Sequence, residues 1–415
     1  MHPKALEHMK AKTICALQVC TVKERWPVFS SYTENVSMLA DEAVKHKKEW
    51  LTQSNVYSIF LSEVTSTLRV RFPDDNALEG KLEDILEGDA VTSLADKIVA
   101  IIASIPRSYI FNFPLPNVQI PIEGRLQLGE GVFLRSIGKG EVIPGGERKG
   151  LLGIFGAHLD RNKVYLCIED SGFTSGDIDD IVFSHALSKF KILTYLLRIR
   201  GVFAERNAPP ILYGLGGESH YVPNLFSTVF DSERESEVHA STLLPIGISR
   251  QTDKLYLNEN NGDYQKANTE GYEAVKKYVQ SVSRHPMHLL KHEGIDSVPV
   301  RSAIEWAYEA STTDNDTIAF IQVCIGLEAI LGEDIGDESI TSTLADRCAY
   351  LLGDDMQGRR TIRESFKEVY RRRSKLAHGR AIRLQPDELR YFKWAKSVLD
   401  LLISKEMKHL NLGKT

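Results

Sequence analysis

The stretch Tyr370-Arg371-Arg372-Arg373-Ser374-Lys375-Leu376-Ala377-His378-Gly379 combines a helical period, a charge on an unexpected face and a helix stop. With Ile362, Phe366 and Val369 upstream, its apolar residues recur every three or four positions. The spacing predicts an amphipathic helix over about 359–378 capped by Gly379. Tyr370, Leu376 and Ala377 continue the apolar stripe, and Arg373 falls in its middle, whereas Arg371, Arg372 and Lys375 fall outside. A buried unpaired guanidinium is costly, so Arg373 should find an acid or a polar cavity. His378 stands in the last turn, where the helix carbonyls favour imidazolium and the ring can donate or accept a proton near neutral pH. A guanidinium to hold phosphorane charge and an imidazole to move protons are two groups that cut RNA without a metal.

Four further helices are expected around this one, over about 300–310, 317–331, 341–352 and from Pro386-Asp387-Glu388 to about 405. Pro299, Gly332, Gly353 and Gly379 punctuate them, and the connections are short, which favours an antiparallel bundle. Two of these helices also place charges on apolar faces. Glu328 sits among Ile321, Cys324, Ile325 and Leu331, and Arg347 among Ile340, Leu344, Cys348 and Leu351. Glu328 is therefore expected to pair with Arg347, Arg373 or both.

Toward the N-terminus the pattern changes twice. Residues 1–105 read as mostly helical and carry an acidic patch from Asp74 to Asp89. Residues 106–285 read as a mixed, β-rich module. Strands are expected at 108–113, 125–128, 132–137 and 163–168, followed by a helix through Phe183, Leu187, Phe190, Leu193 and Leu197, which Asp177 or Asp180 caps. Residues 207–263 give only short strands or loops, a helix is expected near 270–283, and a linker containing Pro286, Gly294 and Pro299 is expected before the helical block at 299–412. The fold class is thus α+β, mostly α, with a possible sensor or regulatory role for the middle region.

Composition narrows the functional classes. The chain has 415 residues, 42% of them hydrophobic and 26% charged, as in ordinary soluble domains. No apolar run is long enough for a bilayer, the N-terminus lacks a signal-peptide pattern, and five scattered cysteines suit a reducing cytoplasm. Between Arg359 and Arg383 ten Lys/Arg face two acids, a local +8 that leaves −13 for the rest of a chain of net −5. Such a segment marks a polyanion site or a docking face for an acidic partner. The glycines at 145–146, 150 and 214–217 lack P-loop context, and no nucleophile elbow occurs. His158-x-Asp160, His185 and the trio His285, His288 and His292 lack metal-site spacing, so neither metal nor cofactor is expected.

The Arg373-x4-His378 pair, with a small polar residue after the arginine and glycine after the histidine, resembles the Arg-x4–6-His signature of HEPN ribonuclease domains. Residues 326–331 (Gly-Leu-Glu-Ala-Ile-Leu), 344–352 (Leu-Ala-Asp-Arg-Cys-Ala-Tyr-Leu-Leu) and 369–379 make 299–405 similar to the Apea-like branch. The resemblance implies an RNA-cleaving homodimer with both signatures facing one cleft, used in antiphage defence or toxin-type growth arrest. An antitoxin or a phage-derived trigger is a possible partner. It implies catalytic roles for Arg373 and His378, with support from Ser374, Arg371, Glu328 and Arg347, and RNA contacts from Arg372, Lys375 and Arg380. On a straight helix Arg371, not Arg373, shares a face with His378, so which of the two faces the cleft stays open. A scaffold that only dimerises or docks nucleic acid, or a nucleotide sensor without cleavage, are the alternative readings.

Overall fold

The computed structural model describes residues 1–73, 78–120, 122, 124–137, 163–206, 225–232, 238–292, 294–332 and 340–410. The glycines at 145–146, 150 and 214–217, the His158/Asp160 pair and the Asp74–Asp75 end of the acidic patch lie outside the described residues. Within them the chain is α+β and mostly helical.

The N-terminal part comprises α1 (Pro3–Val19), β1 (Thr21–Lys23), β2 (Trp26–Pro27), α2 (Phe29–Lys47), α3 (Gln53–Arg71), β3 (Gly80–Lys81), α4 (Leu82–Ile85) and α5 (Ala90–Ala103). α1 carries proline in its first turn, and Thr52 and Asn55 form a reciprocal capping box on α3. Met9, Leu17, Val36, Leu39, Phe60, Val64, Ile98 and Ile102 pack these helices around a core of their own.

The middle part follows with β4 (Arg107–Leu115), β5 (Arg125–Gly129), β6 (Val132–Ile137), β7 (Lys163–Gly172), α6 (Ile181–Ile199), β8 (Phe203–Glu205), β9 (Phe226–Asp231) and β10 (Val238–Leu243). It closes with α7 (Ile246–Lys254), β11 (Leu255–Leu257), α8 (Gly262–Glu270) and α9 (Tyr272–Lys291). Six strands form one antiparallel sheet in the order β10-β9-β4-β7-β6-β5. Central β4 is buried from Tyr109 onward, and its period-two alternation serves two layers. Phe111 and Phe113 meet Phe183 and Phe190 of α6, while Ile110 joins Phe133, Tyr165, Cys167 and Phe230 on the other face. Asp180 occupies the N-cap position of α6, but its carboxylate turns back. It accepts from Thr174, Ser175 and Asp177, and from Asn55 of α3, so it fastens the N-terminal helices to the sheet.

Two expectations need correction here. The proline-containing linker is helical: α9 runs through Pro286, and after a 3-10 turn (Ile295–Ser297) the next helix begins at once. Pro286 is buried in the core, where packing offsets the cost of the missing backbone donor, about 3 kcal/mol. Residues 246–254 form α7, where only strands or loops were expected. This helix is short and largely polar, so its period was hidden.

The last five helices are α10 (Val298–Thr312), α11 (Asp316–Leu331), α12 (Ile340–Leu352), α13 (Met356–Ala377) and α14 (Leu389–Leu410), all within a residue or a few of the expected spans. Asn315 caps α11 and Asp355 caps α13, and Gln385 with Glu388 forms a capping box ahead of α14. Gly326 brings α11 close to its neighbours, since a Cβ there would lie 2.9 Å from Leu399 Cδ2 and 3.4 Å from the Ala303 carbonyl. A single apolar core runs from the sheet through α6 and α9 into this bundle.

Candidate active site

α13 ends in a Schellman motif. The Arg380 N–H donates to the Lys375 carbonyl at 2.8 Å and the Gly379 N–H to the Leu376 carbonyl at 3.2 Å, with Gly379 at φ +65°. Only glycine adopts that backbone without strain. His378 is consequently the C-cap residue, pinned by its own N–H to the Ser374 carbonyl at 3.0 Å, and its ring is exposed.

Arg373 lies five residues before it, on the side of α13 that packs on α11. Its Nη2 is 3.2 Å from Glu328 Oε1, and both side chains keep 31% of their exposure. The pair is thus half-buried at the rim of the bundle, with one edge on protein and one toward solvent. Beneath it the Tyr370 hydroxyl donates to the Cys324 carbonyl at 3.4 Å. Burial first, and the Glu328 charge second, push the Tyr370 phenol well above its ordinary range, so it remains a neutral donor. Burial likewise raises the Cys324 thiol, which makes it an inert apolar neighbour. Arg373 Nε is buried with no hydrogen-bond partner among the described residues. Glu328 therefore carries most of the compensation for this cation.

The other named residues divide. Arg347 Nη1 donates to the Leu331 carbonyl at 2.7 Å and so closes the C-terminus of α11. Arg371 is exposed and pairs with Glu368 at 2.9 Å. Lys375 and Arg380 are exposed and make no ion pair among the described residues, and Ser374 is half-buried. Arg372 departs from expectation. It was placed outside the apolar stripe as an RNA contact, yet it is buried, with Nη1 2.7 Å from Glu368 and Nε 3.2 Å from Glu388. Its guanidinium lies 3.5 Å over the Tyr391 ring. The cause is α14, whose first turn covers that side of α13. A single-helix projection contains no information about a helix that begins seventeen residues later.

Part of the local +8 is offset by acids from outside the segment: Arg363 pairs with Asp346, Arg372 with Glu388 at 3.2 Å and Arg373 with Glu328 at 3.2 Å. Lys375 and Arg380 remain exposed beside His378 at the end of α13. The histidine trio, expected in a linker, belongs to α9 and its cap: His285 contacts Arg200, His292 is 2.9 Å from Asp296, and His288 stacks on His292. Among the described residues no three His, Cys, Asp or Glu side chains gather as metal ligands. No described helix is long and apolar enough to cross a membrane.

Comparison with protein-family models, with curated proteins and with solved structures finds no match to this chain.

Proposed function

We propose that this protein is a cytoplasmic endoribonuclease of the HEPN type, acting as a homodimer without metal, in antiphage defence or growth arrest. The observation that carries the reading is a guanidinium braced by a carboxylate, five residues before an exposed histidine that a Schellman motif fixes in place. In the reaction one His378 takes the proton of a ribose 2′-OH as the 2′-oxygen attacks phosphorus. The partner's equivalent imidazole gives a proton to the departing 5′-oxygen. Arg373 from each protomer holds the charge that builds on the phosphorane oxygens. The products are a 2′,3′-cyclic phosphate and a 5′-hydroxyl. In this reading the exposed Lys375 and Arg380 meet backbone phosphates on either side of the scissile bond.

The test is cleavage of RNA in EDTA, with RNA from expressing cells sequenced for its end chemistry. Wild type should leave 2′,3′-cyclic phosphate ends, and His378→Ala should lower the rate by at least about a hundredfold. Cleavage unchanged in His378→Ala sinks the proposal. The burial of Arg372 and the bracing of Arg373 favour one rival, a scaffold in which these ion pairs only order the bundle. Under that rival Arg373→Ala weakens folding, and no RNA ends of this type arise in expressing cells.

A further inference from the structure

β5 and α9 line an open surface cleft of about 480 Å3, formed by Gln127, Leu128, Gly129, Gln280, Arg284, Met287, His288 and Lys291. Arg284, His288 and Lys291 stand at i, i+4 and i+7 on one face of α9. Behind them Arg200, the cap of α6, donates to His285 Nδ1, so His285 is held as a neutral acceptor. Burial, followed by the charges of Arg200, Arg284, His288 and Lys408, keeps the His285 pKa below its ordinary value. Three elements therefore bring cations around His285, while Arg284, His288 and Lys291 alone among them line the cleft. Among the described residues Arg284, Arg200 and Lys408 have no carboxylate partner. Lys291 alone has one, Glu130 at 2.7 Å, and that carboxylate is 84% exposed and free to swing away.

Cations near a helix C-terminus often only complement the helix dipole, which suffices for His288 and Lys291. It suffices as well for Arg200, the C-cap of α6, and for Lys408 in the last turn of α14, but not for Arg284, two turns before the end of α9. Like charges gathered without acids raise the energy of the folded state unless an anion joins them. The rest of the cleft is not basic: Leu128 and Met287 form an apolar floor, and Gln127 and Gln280 line the edge. The frame is firm, because Arg301 of α10 donates to the His292 carbonyl at 2.9 Å and fastens the end of α9.

We propose that this cleft binds a nucleoside phosphate, with the phosphate on Arg284 and Lys291 and the base against Leu128 and Met287. The volume suits a mononucleotide. The phosphate can come from a free nucleotide or from the end of an RNA strand, and the experiment separates these sources. Binding does not depend on the nuclease reading, so all titrations use the full chain carrying His378→Ala, which leaves RNA intact.

ADP, pyrophosphate and a single-stranded RNA octamer are titrated calorimetrically into that protein and into the same protein with Arg284→Ala and Lys291→Ala. Both side chains are exposed, so helicity should be unchanged by circular dichroism; Arg284→Gln alone replaces the pair if it is not. The expected result is binding that weakens at least about tenfold on loss of the two cations. ADP binding with that dependence identifies a free nucleotide, and octamer binding alone identifies RNA. Absence of binding by all three probes, or equal affinity in both proteins, overturns the site.

Discussion

At the residue scale the candidate site depends on how one arginine is held. Glu328 neither touches substrate nor moves a proton in the proposed chemistry; it positions Arg373 from the neighbouring helix. Glu328→Gln retains the shape and removes the charge. Cleavage should fall roughly ten- to a hundredfold in kcat with little change in KM, while denaturant unfolding records a loss of about 1 kcal/mol. An equal fall in both kinetic parameters would contradict a positioning role. The Arg372 clamp gives a second prediction. Its hydrogen bond from Arg372, then that from Arg371, keeps Glu368 below the ordinary value of 4.5. A carboxylate depressed in the folded state adds stability that is complete above its unfolded pKa and is lost as pH falls through the folded one. Glu368 is 41% exposed, so the contribution is a few tenths of a kcal/mol. Urea midpoints measured from pH 5 down to pH 3 should drop less steeply in Glu368→Gln than in wild type.

At the element scale the decisive piece is the end of α13. Gly379 holds φ +65°, and nothing lies within 4 Å of where its Cβ would be. Gly379→Ala consequently tests backbone conformation alone. It should cost about 1 kcal/mol in denaturant unfolding and reduce cleavage further than that loss explains, since the motif that pins His378 loosens. A stability loss with unaltered cleavage would separate the histidine from the cap. The Schellman motif was legible as a C-terminal glycine after an apolar period. So was the contact of Arg373 rather than Arg371 with protein, since Arg373 fell in the apolar stripe and Glu328 was expected to meet it; α11 supplies that carboxylate, and Glu368 draws Arg371 along the surface.

At the scale of the whole molecule α6 joins the sheet to the bundle. Lys191 reaches Glu305 and Glu309 of α10 at 2.5 and 2.6 Å. Arg198 lies 3.2 Å from Asp400 of α14 and 3.1 Å from Glu205, and the Tyr195 hydroxyl donates to Asp400. Burial, then the Asp400 charge, raises the Tyr195 phenol, which keeps it a donor. Asp400→Ala leaves Arg198, whose side chain is 15% exposed, short of a partner. Glu205 still faces that cation, so the loss in denaturant unfolding should be about 2 kcal/mol rather than the larger cost of an unpaired buried charge. Because the sheet and the bundle share one apolar core, tryptophan fluorescence and far-ultraviolet circular dichroism should shift together in urea. Separate shifts would show that the two layers unfold independently.

The sequence by itself determined the five C-terminal helices, the sheet strands at 108–113, 125–128, 132–137 and 163–168, and the mismatch of charge and face at Arg373 and Glu328. These follow from period and punctuation, which are local and survive without neighbours. Tertiary structure alone decided that Pro286 lies inside a helix, that Arg372 is a buried clamp and that Asp180 faces Asn55. It alone brought Arg200 of α6 and Lys408 of α14 near His285 of α9. Each of those outcomes is set by the field and packing of a segment distant in sequence, and distance along the chain says nothing of proximity in space.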